Sequence, residues 1–550
     1  MWCRPDLWIV WFVLLLLKCL MKPIIILKYL RRSKKLPKID NKLLFQSATN
    51  LAFLIRTRKV KSEEVVKAYI ARIQDVNPLL NAMVDHRFEA AVLDARYVDR
   101  LIESGVKTEQ QLEAETPLLG VPFTVKGSIG VKGLSHSAGE VRFENRRAQQ
   151  DAETVKLMRA AGAIPILVSN TPELCMYIET FNKIIGTTNN PYDLRRTPSG
   201  SSGGEVSSLD PRASVIGLGS DIAGSLRIPA AFTGIFSHKP TPGLVSHYGH
   251  NPTSPDMNWY RYFTIGPMAR YCEDLSLMLS ILSGKQGKSL KLDQKVDIKS
   301  LKFYYMEDDG GCIATNKVSQ EVKAALRKVV AHLQNVHGIE AKKVNLKQFK
   351  YACDISLPLI LNLNGVTSLH RNDAHPKPWG TVFIEMIKFI FCMSEYTLSP
   401  LLYAFLKRVS VWMPDRKIQR IREKADLLRK EFHEILGDDG VFLYPTFIET
   451  APFHKETYFK LFNAHYTLIM NILEVPVTNC PVGLSKNGLP IGIQVVGAPN
   501  EDRLTLAVAK EIESAFGGWT EPPKPSPTSQ KSLDLKKKEK KLHCIIGILF

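Results

Sequence analysis

Pro198-Ser199-Gly200-Ser201-Ser202-Gly203-Gly204-Glu205 is a stretch with almost nothing to bury. Glycines and small hydroxylic residues add little to a core, so the purpose of such a segment lies in its backbone or its hydroxyls. A flexible loop is the plainest reading. A phosphate cradle would need a lysine after the second glycine, and none is there. Gly200-Ser201-Ser202-Gly203-Gly204 also matches the G-x-S-x-G nucleophile elbow, but that turn follows an apolar strand. Here residues 192–198 (YDLRRTP) are polar and end in proline, which argues against Ser202 as a nucleophile. Twenty-four residues beyond Ser201, a second small-residue cluster, Gly219-Ser220-Asp221-Ile222-Ala223-Gly224-Ser225, runs into the apolar Leu226-Arg227-Ile228-Pro229. Successive small residues in a tight turn let backbone N–H groups converge on an anion.

Around these clusters the pattern is α/β. Residues 118–125 (LLGVPFTV) read as a strand ending at Lys126. Ser62-Glu63-Glu64, followed by Val65, Val66, Tyr69, Ile70 and Ile73, reads as a capped amphipathic helix. Asp151 opens a helix that Gly162 closes, and residues 164–168 (IPILV) follow as a buried strand. Asp415 to Leu436 predicts a charged helix before a strand at 441–444, and a strand at 490–496 precedes a helix from Glu501 to Phe516. Two apolar stretches, 383–393 and 401–412, read either as core helices or as an amphipathic cap at a lipid interface.

Three spaced motifs then resemble one family. Residues 120–126 (GVPFTVK), 200–205 (GSSGGE) and 221–227 (DIAGSLR) look like the amidase signature family, as does the closing segment 488–497 with Asp502. The likeness spans roughly residues 47–519, and within the family it points to the fatty-acid amide hydrolase branch. The resemblance implies a single large α/β domain with a mixed central sheet covered by helices on both faces. It implies Ser225 as nucleophile, Ser201 as a bridging serine after a cis peptide, and Lys126 as base. The N–H groups of Ile222, Ala223, Gly224 and Ser225 would form the oxyanion hole, Cys175 and Met176 would lie beside the acyl group, and Ser202, Ser220, Asp221 and Arg227 would support the network. Ser199 and Ala223 stand where the family favours glycine, Gly127 where an acid is common, and Val206 is also unusual. Alanine at 223 keeps its N–H provided its φ is negative.

The chemistry holds together independently of the name. A serine hydroxyl needs a base to become a nucleophile, and lysine is a base only while neutral, which burial brings about. Ser201 can accept a proton on one side and donate one on the other.

The 550 residues are 45% hydrophobic and 23% charged, enough for a large core. Nine cysteines without a C-x-x-C pair and thirteen histidines without H-E-x-x-H predict neither disulfide framework nor metal site. His247 and His250, in a Gly/Pro/Ser-rich stretch, read as ordinary loop histidines. No cofactor is implied. Of the net charge of +19, residues 1–38 carry +8 and residues 521–550 carry +4, so the excess sits mostly at the ends and suits an anionic membrane surface at least as well as RNA. Residues 7–17 (LWIVWFVLLLL) and 24–27 (IIIL), followed by five basic residues between 28 and 35, read as an uncleaved anchor or interfacial hairpin rather than a signal peptide. The expected organisation is a membrane segment over 1–38, an amidase domain over 39–520 and a basic, unstructured tail over 521–550. The expected activity is hydrolysis of fatty-acid amides at a membrane of the endoplasmic reticulum or a lipid droplet, and a homodimer is compatible with it. The competing readings are the glutamine amidase component of a tRNA-dependent amidotransferase and an inactive membrane-associated scaffold.

Overall fold

The computed structural model describes Pro23, Tyr29 and residues 33–311, 315–366, 379–411 and 414–523. Of the membrane segment expected over 1–38, all but Pro23, Tyr29 and residues 33–38 lies outside the described residues, as does the expected tail from 524. Among the described residues, no helix is long and apolar enough to cross a membrane.

One sheet of eleven strands runs through the molecule. In chain order these are β1 (Met83–His86), β2 (Pro122–Lys126), β3 (Ile164–Ser169), β4 (Ile216–Asp221), β5 (Phe236–Lys239), β6 (Thr264–Ala269), β7 (Lys302–Tyr305), β8 (Lys342–Lys343), β9 (Gly440–Pro445), β10 (Val477–Leu484) and β11 (Pro490–Val496). Their spatial order is β1-β3-β2-β4-β6-β5-β10-β11-β9-β7-β8. β2 runs parallel to both β3 and β4, whereas β4 is antiparallel to β6 and β10 to β11, so the sheet is mixed. Every residue of β2, β3, β4, β6, β9 and β11 is buried. Side chains alternate between the faces of a strand, so full burial means both faces are covered.

The helices that matter below are α1 (Ser62–Leu80), α2 (Phe88–Glu103), α3 (Glu153–Ala160), α4 (Gly203–Leu209), α5 (Arg227–Thr233), α6 (Gln320–His337), α7 (Ala352–Leu361), α8 (Trp379–Ile390), α9 (Leu398–Val411), α10 (Asp415–Leu436), α11 (His465–Ile472) and α12 (Asp502–Phe516). The sequence reading finds α10 and β11 at the observed bounds and α3 to within a few residues. It misassigns the start of α1. Ser62 is the first helical residue rather than the cap, and its hydroxyl donates to the Gly120 carbonyl at 2.9 Å. The two orphan N–H groups of Ser62 and Glu63 instead donate to the carboxylate of Asp99 on α2, at 2.7 and 3.0 Å. A carboxylate at a helix N-terminus satisfies both the donors and the dipole.

The register of β2 places Lys126 opposite Ser169, and Val125 opposite Leu218. The carboxyl ends of three parallel neighbours therefore meet at one edge, the usual place for a site in an α/β sheet. Asp99→Ala is expected to lower stability by about 1 kcal/mol, the worth of an N-cap. Urea unfolding measures it, and an unchanged midpoint would show that water replaces the carboxylate.

Candidate active site

Lys126 ends β2 with its side chain wholly buried. Its Nζ lies 2.6 Å from Ser201 Oγ and 3.0 Å from Ser220 Oγ. Burial is the main influence on this amine and lowers its pKa from the ordinary lysine value, against the opposing pull of Cys175, Asp221 and Glu205. Ser201 follows Gly200 through a cis peptide, as expected. Ser202, the serine of the elbow match, is fully buried at the N-terminus of α4. Among the described residues, its hydroxyl reaches only the Ser220 carbonyl, at 3.5 Å.

Ser201, Ser220 and Ser225 line one cavity of about 220 Å³ together with Cys175 and Met176. Among the described residues, no hydrogen bond joins Ser201 to Ser225. The remaining wall is mostly apolar, with Leu357 and Ile360 of α7, Leu402 and Leu406 of α9, and Leu468 of α11. Cys175 Sγ sits 3.2 Å from Thr171 Oγ1.

The turn that presents Ser225 is held from behind by a buried ion pair. Asp221 and Arg227 are both inaccessible to solvent, joined at 2.8 and 3.1 Å. Arg227 also donates to Gln494 Oε1, the Thr467 carbonyl and Asn471 Oδ1. Burial alone would raise the Asp221 carboxyl, but the Arg227 guanidinium and the N–H of Leu226 hold it well below the usual carboxylate range. The N–H of Gly224 donates to Asp221 Oδ1 at 2.8 Å. Of the four donors expected for an oxyanion, Gly224 is thus already engaged, whereas those of Ile222, Ala223 and Ser225 have no hydrogen-bond partner among the described residues. Gly224 takes the positive φ of the turn, +114°, so Ala223 is spared it. A Cβ at 224 would sit 2.1 Å from Thr467 Oγ1.

His250 is the residue the sequence reading passes over. It is buried in the cavity wall, with Nε2 2.9 Å from both Ser220 Oγ and Ser128 Oγ. Its partners lie 122 and 30 residues away in the chain, so nothing in the local sequence marks it. Away from the cavity, His332 and His337 of α6 approach Glu511 of α12 in an arrangement with metal-ligand character. Both Nε2 atoms approach the same Glu511 Oε1, at 2.8 and 2.7 Å.

A family profile described as Amidase matches residues 64–506. The chain belongs to the amidase signature family. It is an amide hydrolase, as the amidase profile and its curated relatives establish. The chain is 43% identical over 496 residues to human fatty-acid amide hydrolase 2, covering 88% of this chain and 92% of that one. A more distant relative, a glutamyl-tRNA(Gln) amidotransferase component of Thermoanaerobacter pseudethanolicus, is 27% identical over 84% of this amidase and 94% of its own length. The solved structure of a fatty acid amide hydrolase superposes with a TM-score of 0.66 at 22% identity, covering 88% of this chain and 86% of the other, a likeness of fold.

Arg227→Met would leave the Asp221 carboxylate buried without its partner. The expected loss is about 3–5 kcal/mol of stability, read by denaturant unfolding. Because Asp221's folded pKa is depressed, its stabilisation is present above about pH 4 and is lost as pH falls through the lower folded value. A variant as stable as the parent at neutral pH would contradict the pairing.

Proposed function

We propose that this amidase hydrolyses N-acyl amides with long apolar acyl groups to a carboxylic acid and an amine, through a Ser225-Ser201-Lys126 relay and an acyl-enzyme. The observation that carries the reading is a buried amine 2.6 Å from a serine hydroxyl, in the wall of an apolar cavity that also holds Ser225. The lone pair of neutral Lys126 accepts the Ser201 proton while Ser201 takes that of Ser225, and Ser225 Oγ attacks the carbonyl carbon. The N–H groups of Ile222, Ala223 and Ser225 receive the developing oxyanion. Collapse breaks the C–N bond, and the proton held at Lys126 returns through Ser201 to the departing amine, which cannot leave as an anion. Water then repeats the route and releases the acid. Among the described residues no hydrogen bond joins Ser201 to Ser225, a gap that bound substrate closes in this reading. No cofactor takes part.

The apolar lining favours an acyl chain over the short polar side chain of glutamine, which sets the amidotransferase reading second. Labelling with a fluorophosphonate probe separates both from an inactive scaffold. Ser225→Ala is expected to abolish labelling and Ser202→Ala to retain it. Activity should rise with pH through the folded pKa of Lys126, below the ordinary lysine value, because only the neutral amine accepts a proton. Lys126→Ala should lose most of the activity, about 10²-fold or more, together with that limb. An unchanged profile in the variant would remove lysine from the mechanism.

Membrane association belongs to the same proposal, at the endoplasmic reticulum or a lipid droplet. Besides the apolar residues 7–17, it is supported by α8, whose Ile384, Ile387 and Ile390 are 54, 53 and 73% exposed. α8 packs beside α9, which lines the cavity, so acyl chains leaving a lipid layer would meet the cavity wall directly. Ile384→Glu/Ile387→Glu is expected to float less with anionic vesicles while hydrolysing a short soluble amide as before. Equal flotation would place lipid contact elsewhere.

A further inference from the structure

We infer that His250 is a positioning residue that orients the Ser220 hydroxyl, so that the lone pair of Lys126 faces Ser201 and no other group. This rests on the relay proposed above and concerns a step that the relay leaves open.

A neutral primary amine has two hydrogens and one lone pair. Lys126 touches two hydroxyls, Ser201 at 2.6 Å and Ser220 at 3.0 Å, and a hydroxyl rotates freely between donating and accepting. Were Ser220 to donate into the lone pair, Ser201 would be left accepting from Lys126 and the amine could take no proton from it. The base would be blocked by its own neighbour. Geometry at His250 prevents this. Its Nδ1 lies 2.7 Å from the Pro252 carbonyl oxygen, which can only accept, so Nδ1 carries the ring proton. A neutral imidazole protonated at Nδ1 has a bare Nε2. Burial, with the Lys126 charge second, pushes the pKa of His250 down to about 3, so the ring is neutral wherever an amidase would work.

Bare Nε2 then accepts from Ser220, 2.9 Å away. With its hydrogen committed there, Ser220 Oγ presents a lone pair to an N–H of Lys126, and the amine's own lone pair falls to Ser201. Ser128 Oγ lies 2.9 Å from the same nitrogen and shares that acceptor with Ser220; among the described residues it makes no hydrogen bond to Lys126, so of the two hydroxyls only Ser220's orientation reaches the amine directly. The other titratable groups near the ring are His136 and His247. Burial lowers both, His136 to about 4. Asp221, Glu205 and Cys175 act on Lys126 itself and are untouched by changes at 250. Phe263 packs against the ring at a tilt of 56°, with centroids 4.6 Å apart.

The test is the pH profile of kcat/KM in the full-length enzyme. His250→Phe keeps the bulk and removes the acceptor. The plateau is expected to fall roughly tenfold or more, a part of the 10²–10⁴ that a placed base contributes. Its acid limb should move to lower pH, because a hydroxyl donating to the amine favours the neutral form. His250→Gln restores an acceptor and should return both limb and plateau toward the parent. The sharpest arm is the double variant. Ser220→Ala added to His250→Phe removes the blocking hydroxyl and should recover activity relative to His250→Phe alone, which a packing role for the ring would not produce. If His250→Phe does not fold, His250→Leu carries the same comparison. A parent-like profile in the acceptor-less variant, or no recovery in the double variant, overturns the inference. Loss of the base itself is distinguished by Lys126→Ala: activity retained there would sink the relay, whereas an inert Lys126→Ala beside an unaffected His250→Phe would sink only the role of His250.

Discussion

A primary amine shut away from water organises this molecule. Placing a lysine nitrogen in a dry wall disfavours its charge, and the fold supports that outcome with hydroxyl partners in the wall instead of a carboxylate. The amine sits where it does because β2 is buried along its whole length and ends there, with parallel neighbours on either side. The two serines it touches arrive from different directions, one from the turn before α4 and one from β4. Registry between β2 and β4 therefore decides whether the amine meets Ser220 at all.

Gly127 and Ser199 show how far the neighbourhood is tuned. A Cβ at 127 would lie 2.6 Å from the Ser169 carbonyl oxygen, so the acid common at this position in the family does not fit against β3 as it stands here. Ser199 occupies the left-handed region at φ 73°, where glycine is the easier residue, at a cost of about 1–2 kcal/mol. Its hydroxyl donates to the Ile178 carbonyl at 3.2 Å, a contact glycine could not make, which offsets part of that.

Periodic features were legible from sequence because they are local. α10 has its charged and apolar faces written into 22 consecutive residues, and β11 is an apolar run bounded by Gly488 and Gly497. Lys126, Ser201 and Ser225 were singled out through the family resemblance, and the structure brings Lys126 against Ser201 and sets Ser201 and Ser225 in one cavity. What escaped is what distant segments settle. Asp99 caps α1 from another helix, so Ser62 looked like the cap. Gly224's N–H is drawn to Asp221, which no spacing rule foretells. His250 looked like any loop histidine, since its meaning comes from Ser128 and Ser220, both brought to it by the sheet.

The ties behind Asp221 carry a further consequence. Arg227, which braces the turn holding Ser225, is itself gripped by Thr467, Asn471 and Gln494, more than 230 residues downstream. All three groups of the proposed relay lie in the first 225 residues, yet the loop that holds one of them is finished only by a strand near the other end. A ribosome that stopped ahead of residue 494 would release Lys126, Ser201 and Ser225 without the strand that grips Arg227. Assembly of the site is in this sense a late event in synthesis, and an early fragment would be inert toward amides.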